Sequence, residues 1–188
     1  NDGEEITYFI RGFSNRAYFS PDGGTTVVPI VPPSETELPE TQRFGGISTL
    51  LGMSSNNMFA VGSASFDVNE STLEIIESTE DNGCADPDVL AVIPKELCVQ
   101  RLEDFLYSTE PVKWSIDNDN NYVVESLGTL ITPHPDDTRV FVSQALDVND
   151  SGVAVGRSPD WIDENVTEPS SNQSVSVYAV IFKDGEVL

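Results

Sequence analysis

Residues 145–158 read Ala-Leu-Asp-Val-Asn-Asp-Ser-Gly-Val-Ala-Val-Gly-Arg-Ser, two short apolar runs bent around Asn149-Asp150-Ser151-Gly152. Asn, Asp and Gly accept the left-handed backbone angles of a tight turn, and Val153 and Val155 alternate with small residues, so the stretch predicts a β-hairpin. An earlier stretch, 52–63, echoes it with turn chemistry at Ser55-Asn56-Asn57 and the same Ala-Val-Gly ending. Aligning Gly62 with Gly156 gives an offset of 156 − 62 = 94 residues. A chain that repeats a hairpin at this distance is built from small β units that need one another to bury their faces.

More of the chain follows the same order. Residues 16–23, 111–118 and 178–185 each place apolar or aromatic residues before an Asp-centred turn, and the first two are followed by the valine pairs Val27-Val28 and Val123-Val124. Residues 6–10 and 16–19 predict two strands around Gly12-Phe13-Ser14-Asn15, and Pro21-Asp22-Gly23-Gly24 a hairpin turn into an extended run at 27–31, where Pro29 belongs at a sheet edge. Strands are also expected at 47–51, 112–116, 122–126, 141–148 and 175–182, and loops at 32–42, 133–137 and 159–173. Residues 67–88 are acidic and poor in aromatics. The one helix expected is 94–107, with Pro94 at a first helical position, Glu96 in the first turn, and Cys98, Leu102, Phe105 and Leu106 on one face.

At 188 residues the chain can bury a sizeable core in one domain, or stand as a piece of a longer repeat array. The regions expected are a first repeat region (1–66), an acidic insertion (67–110) and a second repeat region (111–188). The formal charge of −23 repels nucleic-acid phosphates and anionic head groups, which leaves cations and neutral or basic ligands, with a carbohydrate or a protein as the candidate partner. With 38% hydrophobic residues the chain is globular rather than an acidic disordered polymer. No apolar run approaches the ~20 residues of a membrane span, so no insertion is expected in this segment, and Asn1 reads as a processed or excised start.

The two cysteines, Cys84 and Cys98, are 98 − 84 = 14 residues apart. Bridged, they would close a loop of the size associated with ~3 kcal/mol, and they would place the chain in an oxidising compartment; two buried thiols are the alternative. Zinc is poorly served, since His134 is the only other nitrogen or sulfur ligand of the usual kind.

Chemistry-bearing constellations are sparse. A Ser-His-Asp arrangement would have to use His134, between Pro133 and Pro135, and Gly52-Met53-Ser54-Ser55-Asn56 lacks the last glycine of a nucleophile elbow. With 32 acidic residues some carboxylates must lie close together, so abundance alone does not make a glycosidase pair. No cofactor is expected. Calcium is the best inorganic candidate, through Asp147, Asn149 and Asp150 or through Asp117 and Asp119, but the second group lacks the Gly and Glu of an EF-hand loop and both serve equally as metal-free turns. Asn69-Glu70-Ser71, Asn165-Val166-Thr167 and Asn172-Gln173-Ser174 read as glycosylation sequons.

Three pieces in order, residues 126–130, 145–156 and 178–185, resemble the bacterial HAF repeat family of probable extracellular repeats: an Asp-Leu-Gly-Thr-Leu-like segment, an Ala-x-x-Ile-Asn-Asp-x-Gly-x-Val-Val-Gly-like hairpin, and a His-Ala-Phe-Leu-Trp-x-x-Gly-like strand with Tyr178 in place of His. The chain is also similar to a domain of unknown function in exported proteins of marine gamma-proteobacteria. Ser20-x-Asp22-x-Gly24-x-Thr26 resembles the Asp-box of sialidases and other β-propellers, with Val27 at the usual aromatic position. A sialidase would need an arginine cluster, whereas this chain has Arg11, Arg16, Arg43, Arg101, Arg139 and Arg157 scattered along it. These resemblances imply an all-β fold, β-propeller-like or stacked small antiparallel sheets built from repeats with one short helix in an insertion; a β-sandwich is the alternative. They imply an extracellular, cell-surface or periplasmic location and a scaffolding or ligand-binding role with activity unknown, in which loops 32–42 and 159–173 would carry recognition. The rival is a propeller-type glycan-processing enzyme. The end at Val187-Leu188, where the earlier copies continue into a full strand, reads as a fragment of a longer repeat protein or a ring-closing strand.

Overall fold

The computed structural model of the chain describes residues 7–9, 15–36, 45–80, 82–132, 141–162 and 174–188. The expected strand at 6–10 falls partly outside these residues, and 7–9 carry no strand. The short antiparallel pair β1 (Ala17–Phe19) and β2 (Val28–Ile30) comes first. The meander β3 (Ser48–Met53), β4 (Phe59–Val68), β5 (Tyr107–Ile116) and β6 (Tyr122–Ser126) follows, and then a second, β7 (Gln144–Val148), β8 (Ala154–Trp161), β9 (Val175–Lys183) and β10 (Glu186–Val187).

The two meanders are the same unit twice, and the pairing register shows it. Leu50 faces Gly62 and Ala145 faces Gly156; Met53 faces Ala60 and Val148 faces Ala154. Both first hairpins carry a one-residue bulge, at Leu51 and Leu146, before Gly52 and Asp147 pair with Val61 and Val155. On the other side Gly62 pairs with Val112 and Gly156 with Val180, so Trp114 and Phe182 are equivalent, as are Val124 and Val187. The strand-and-turn alignment from sequence, which matched Asp117 to Asp184, is thereby shifted by one residue. In a strand, one residue is the difference between faces.

Each unit buries the same small-plus-aromatic face. In the first, Ala60, Val112 and Trp114 pack with Leu50, Met53 and Val124 against Ala17, Phe19 and Ile30 of the β1–β2 pair. In the second, Ala145, Val148, Ala154, Val180, Phe182 and Val187 pack against Val61 and Phe59, which project from the opposite face of the first meander. The layers are therefore β1–β2, then β3–β6, then β7–β10, with β7 lying across β4. This is a stack of small antiparallel sheets, not the two-layer sandwich that was the alternative.

The insertion between β4 and β5 departs from expectation. It contains α2 (Glu70–Glu77), α3 (Pro87–Leu90), α4 (Lys95–Arg101) and α5 (Glu103–Leu106) in place of one helix at 94–107, and Tyr107 already opens β5. A further turn of helix, α1 (Pro33–Thr36), occupies part of the expected loop 32–42. Asn69 caps α2 by accepting from Ser71 N and Thr72 N, the competing use of the first sequon. Ile76, Cys84, Val99 and Leu106 form a third, separate core, and Cys84 and Cys98 are joined in a disulfide with Cα atoms 5.5 Å apart. Among the described residues no helix is long and apolar enough to cross a membrane.

Candidate functional site

Of the hairpin turns at one end of the stack, four are each tied down by a polar side chain at the start, while the β9–β10 turn takes positive φ at both Asp184 and Gly185. Asp22 Oδ1 accepts from Thr26 N at 2.7 Å and Oδ2 from Thr26 Oγ1, while Ser20 Oγ accepts from Gly24 N at 2.6 Å. Asp117 Oδ1 accepts from Asp119 N and Asn121 N, both at 2.9 Å. Asn149 Oδ1 accepts from Ser151 N at 2.9 Å and Val153 N at 3.0 Å. Ser54 Oγ accepts from Phe59 N at 2.9 Å, and Asn56 Oδ1 from Met58 N at 3.0 Å. Asn57 and Gly152, which hold equivalent places in the two repeats, both take positive φ, 59° and 78°. Short side-chain acceptors satisfy backbone donors that a tight turn would otherwise leave to water.

The two repeat turns are also clasped together. Asp150 Oδ2 accepts from Ser55 Oγ at 2.6 Å, Oδ1 accepts from Asn56 N at 3.0 Å, and Asn56 Nδ2 donates to the Asp150 carbonyl at 3.3 Å. The Ser55 hydroxyl and then the Asn56 amide hold the Asp150 carboxyl below its ordinary range. Thr26, through hydroxyl and amide, does the same to Asp22, as Asn121, through side chain and amide, does to Asp117. All three carboxylates are thus held ionised, the opposite of what a general acid requires.

Between the turns run two grooves that share Met53. The larger, about 470 Å³, is lined by Met53, Ser55, Asp147, Val148, Asn149, Asp150, Val153 and Val155. The smaller, about 200 Å³, lies between the β1–β2, β3–β4 and β5–β6 turns and includes Ser20, Asn56, Met58 and Asp117. The larger has an apolar floor with a carboxylate rim: Asp147 Oδ1 accepts from Val148 N, and its second oxygen faces no donor among the described residues.

The residues singled out for calcium separate accordingly. Asp147, Asn149 and Asp150 border the larger groove, Asp117 borders the smaller, and Asp119 lines neither. The Asn149 and Asp117 oxygens, and both of Asp150, already accept hydrogen bonds. Among the described residues no three His, Cys, Asp or Glu stand close enough together to hold a metal ion. Cys84 and Cys98 lie in the insertion at the opposite end of β4 and β5. His134 falls outside the described residues, as do 37–42 and 163–173 of the two expected recognition loops, while Pro159, Asp160 and Trp161 belong to β8. What sequence reading missed is the clasp and the role of Met53. The only available signal was that the two turns hold the same place in the repeat.

Stacked repeat sheets with a grooved turn end define a β-repeat protein with no identified chemistry. The chain belongs to the family described as "Protein of unknown function (DUF3466)", whose model matches residues 1–185. No curated protein and no solved structure matches it.

Proposed function

We propose that the chain is an exported, surface-associated β-repeat module of HAF type, part of a propeller-like array, and that it acts by binding rather than catalysis. One observation carries this reading: the clasp of Asp150 on Ser55 and Asn56 fixes two repeats around a groove with an apolar floor and an acidic rim. A preorganised cleft of that kind suits a ligand with one apolar face and hydroxyl or cationic groups beside it, and a sugar ring has both. The net charge of −23 favours neutral or basic ligands over phosphorylated ones. The disulfide Cys84–Cys98 supports export into an oxidising compartment.

The test is the thermal unfolding midpoint of the chain against soluble oligosaccharides, calcium and a chelator, run beside hydrolysis assays with fluorogenic glycosides. Stabilisation by one sugar class without turnover supports the reading. Hydrolysis abolished by a single Asp or Glu change sinks it in favour of a glycan-processing enzyme.

A further inference from the structure

The register of the two repeats allows the same face to be compared at equivalent positions. On the first meander the row Gly52, Val61, Lys113, Glu125 runs across β3 to β6 and faces the second meander. Val61 is fully buried there, Lys113 pairs with Glu125 at 2.8 Å, and Leu146 O comes so close to Gly52 that a Cβ would sit 2.6 Å from it. On the second meander the equivalent row is Asp147, Val155, Ile181 and Leu188, with Leu188 exchanging both backbone hydrogen bonds with Ile181. Where the first row carries an ion pair at its outer edge, half-buried at Lys113 and exposed at Glu125, the second puts Ile181 and Leu188. Yet Val155 is 47% exposed and Ile181 45%, where Val61 is fully buried.

The second row is more apolar than its counterpart, and Val155 and Ile181 are less covered than Val61 and Lys113, which marks this face as one that another surface can cover. The occupant is set by continuity with the interface already present in the stack. We infer that the Val155–Ile181–Leu188 face seats a further four-stranded sheet of the same repeat, presenting an alanine-rich inner face with one aromatic, as Ala154 and Phe182 present to Val61. Asp147 stands where Gly52 admits the neighbouring backbone, so the incoming first strand lies further out along that edge. Because Asp147 and Val155 also border the larger groove, the docked sheet adds a third wall to it. The inference rests on the repeat register and deepens the array reading; it does not depend on the groove's ligand.

The experiment extends the full chain with a second copy of residues 127–188, which carries its own connector. Relaxation of the Val155 and Ile181 methyls of the first copy is then read by NMR with a soluble paramagnetic probe. The expected result is a severalfold fall relative to the unextended chain, absent when the residues equivalent to Val180 and Phe182 in the appended copy alone are changed to lysine. Unchanged relaxation in the extended chain overturns the proposal. So does an unextended chain that dimerises in sedimentation and becomes monomeric with Ile181→Lys, which would assign the face to a second copy. The sugar-binding test can fail without touching either outcome.

Discussion

The carboxylate of Asp150 accepts the backbone N–H of Asn56 at 3.0 Å across 94 residues of sequence. With the Ser55 hydroxyl it joins the turn of one repeat to the turn of the next. Asp150→Ala should therefore speed hydrogen exchange at the Asn56 amide and lower the melting temperature, while the β1–β2 turn, held by Asp22, keeps its protection. Equal protection at Asn56 in the variant would show that the clasp is not formed in solution.

Acid dependence follows from the same contacts. Asp22, Asp117 and Asp150 have carboxyls held below the ordinary value by hydrogen bonds made in the folded state. For a group whose folded pKa is depressed, the stabilisation is present above the unfolded value and is lost as pH falls through the folded one. Stability should decline as pH drops below the usual Asp value of about 3.9, and Asp150→Asn should flatten that decline. Urea midpoints at stepped pH read both effects.

Gly62 and Gly156 are required for backbone approach rather than for unusual dihedrals. A Cβ would lie 1.8 Å from Thr49 O at one and 2.0 Å from Gln144 O at the other. Since backbone carbonyls cannot swing aside as a side chain can, Gly62→Ala and Gly156→Ala should each cost at least the ~1–3 kcal/mol typical of overpacking. Chemical denaturation of the two variants checks this, and a neutral result at either would contradict the bulged register.

Trp114 and Phe182 occupy the same place in the two units, and the buried Trp114 Nε1–H meets no acceptor among the described residues. Trp114→Phe removes an unpaired donor along with some volume, so its cavity cost is offset in part and it should cost less than the ~3–5 kcal/mol of a full aromatic truncation. Phe182→Ala opens a cavity and should cost ~3–5 kcal/mol. Reduction of Cys84–Cys98 should cost about 3 kcal/mol by releasing a loop of this size, with exchange rising first around Ile76, Val99 and Leu106.

The strands were legible because their signals are local. Asn149-Asp150-Ser151-Gly152 and Pro21-Asp22-Gly23-Gly24 carry turn chemistry that needs no tertiary partner, and Val153 and Val155 alternate with small residues at strand period. The helix α2 was hidden by its acidity, although Asn69 as a cap and Thr72 with Ile76 one turn apart are helical signals. The repeat alignment around Asp117 and Asp184 slipped by one residue because turn composition was matched instead of strand pairing. The clasp and the grooves were not legible at all, since they arise only where one repeat's turn meets another's.

The central claim, that the turn end is where this protein binds, is tested most directly by comparing ligand-induced melting shifts in the chain and in Val153→Lys, which fills the larger groove with a cation. A ligand at 100 times its dissociation constant adds ~2.7 kcal/mol, a shift of about 5–10 °C for a domain of this size. The account predicts such a shift for one sugar class and its loss in Val153→Lys. A shift that survives in that variant and disappears with alanine blocks in 163–173 would place recognition outside the turn end and contradict it.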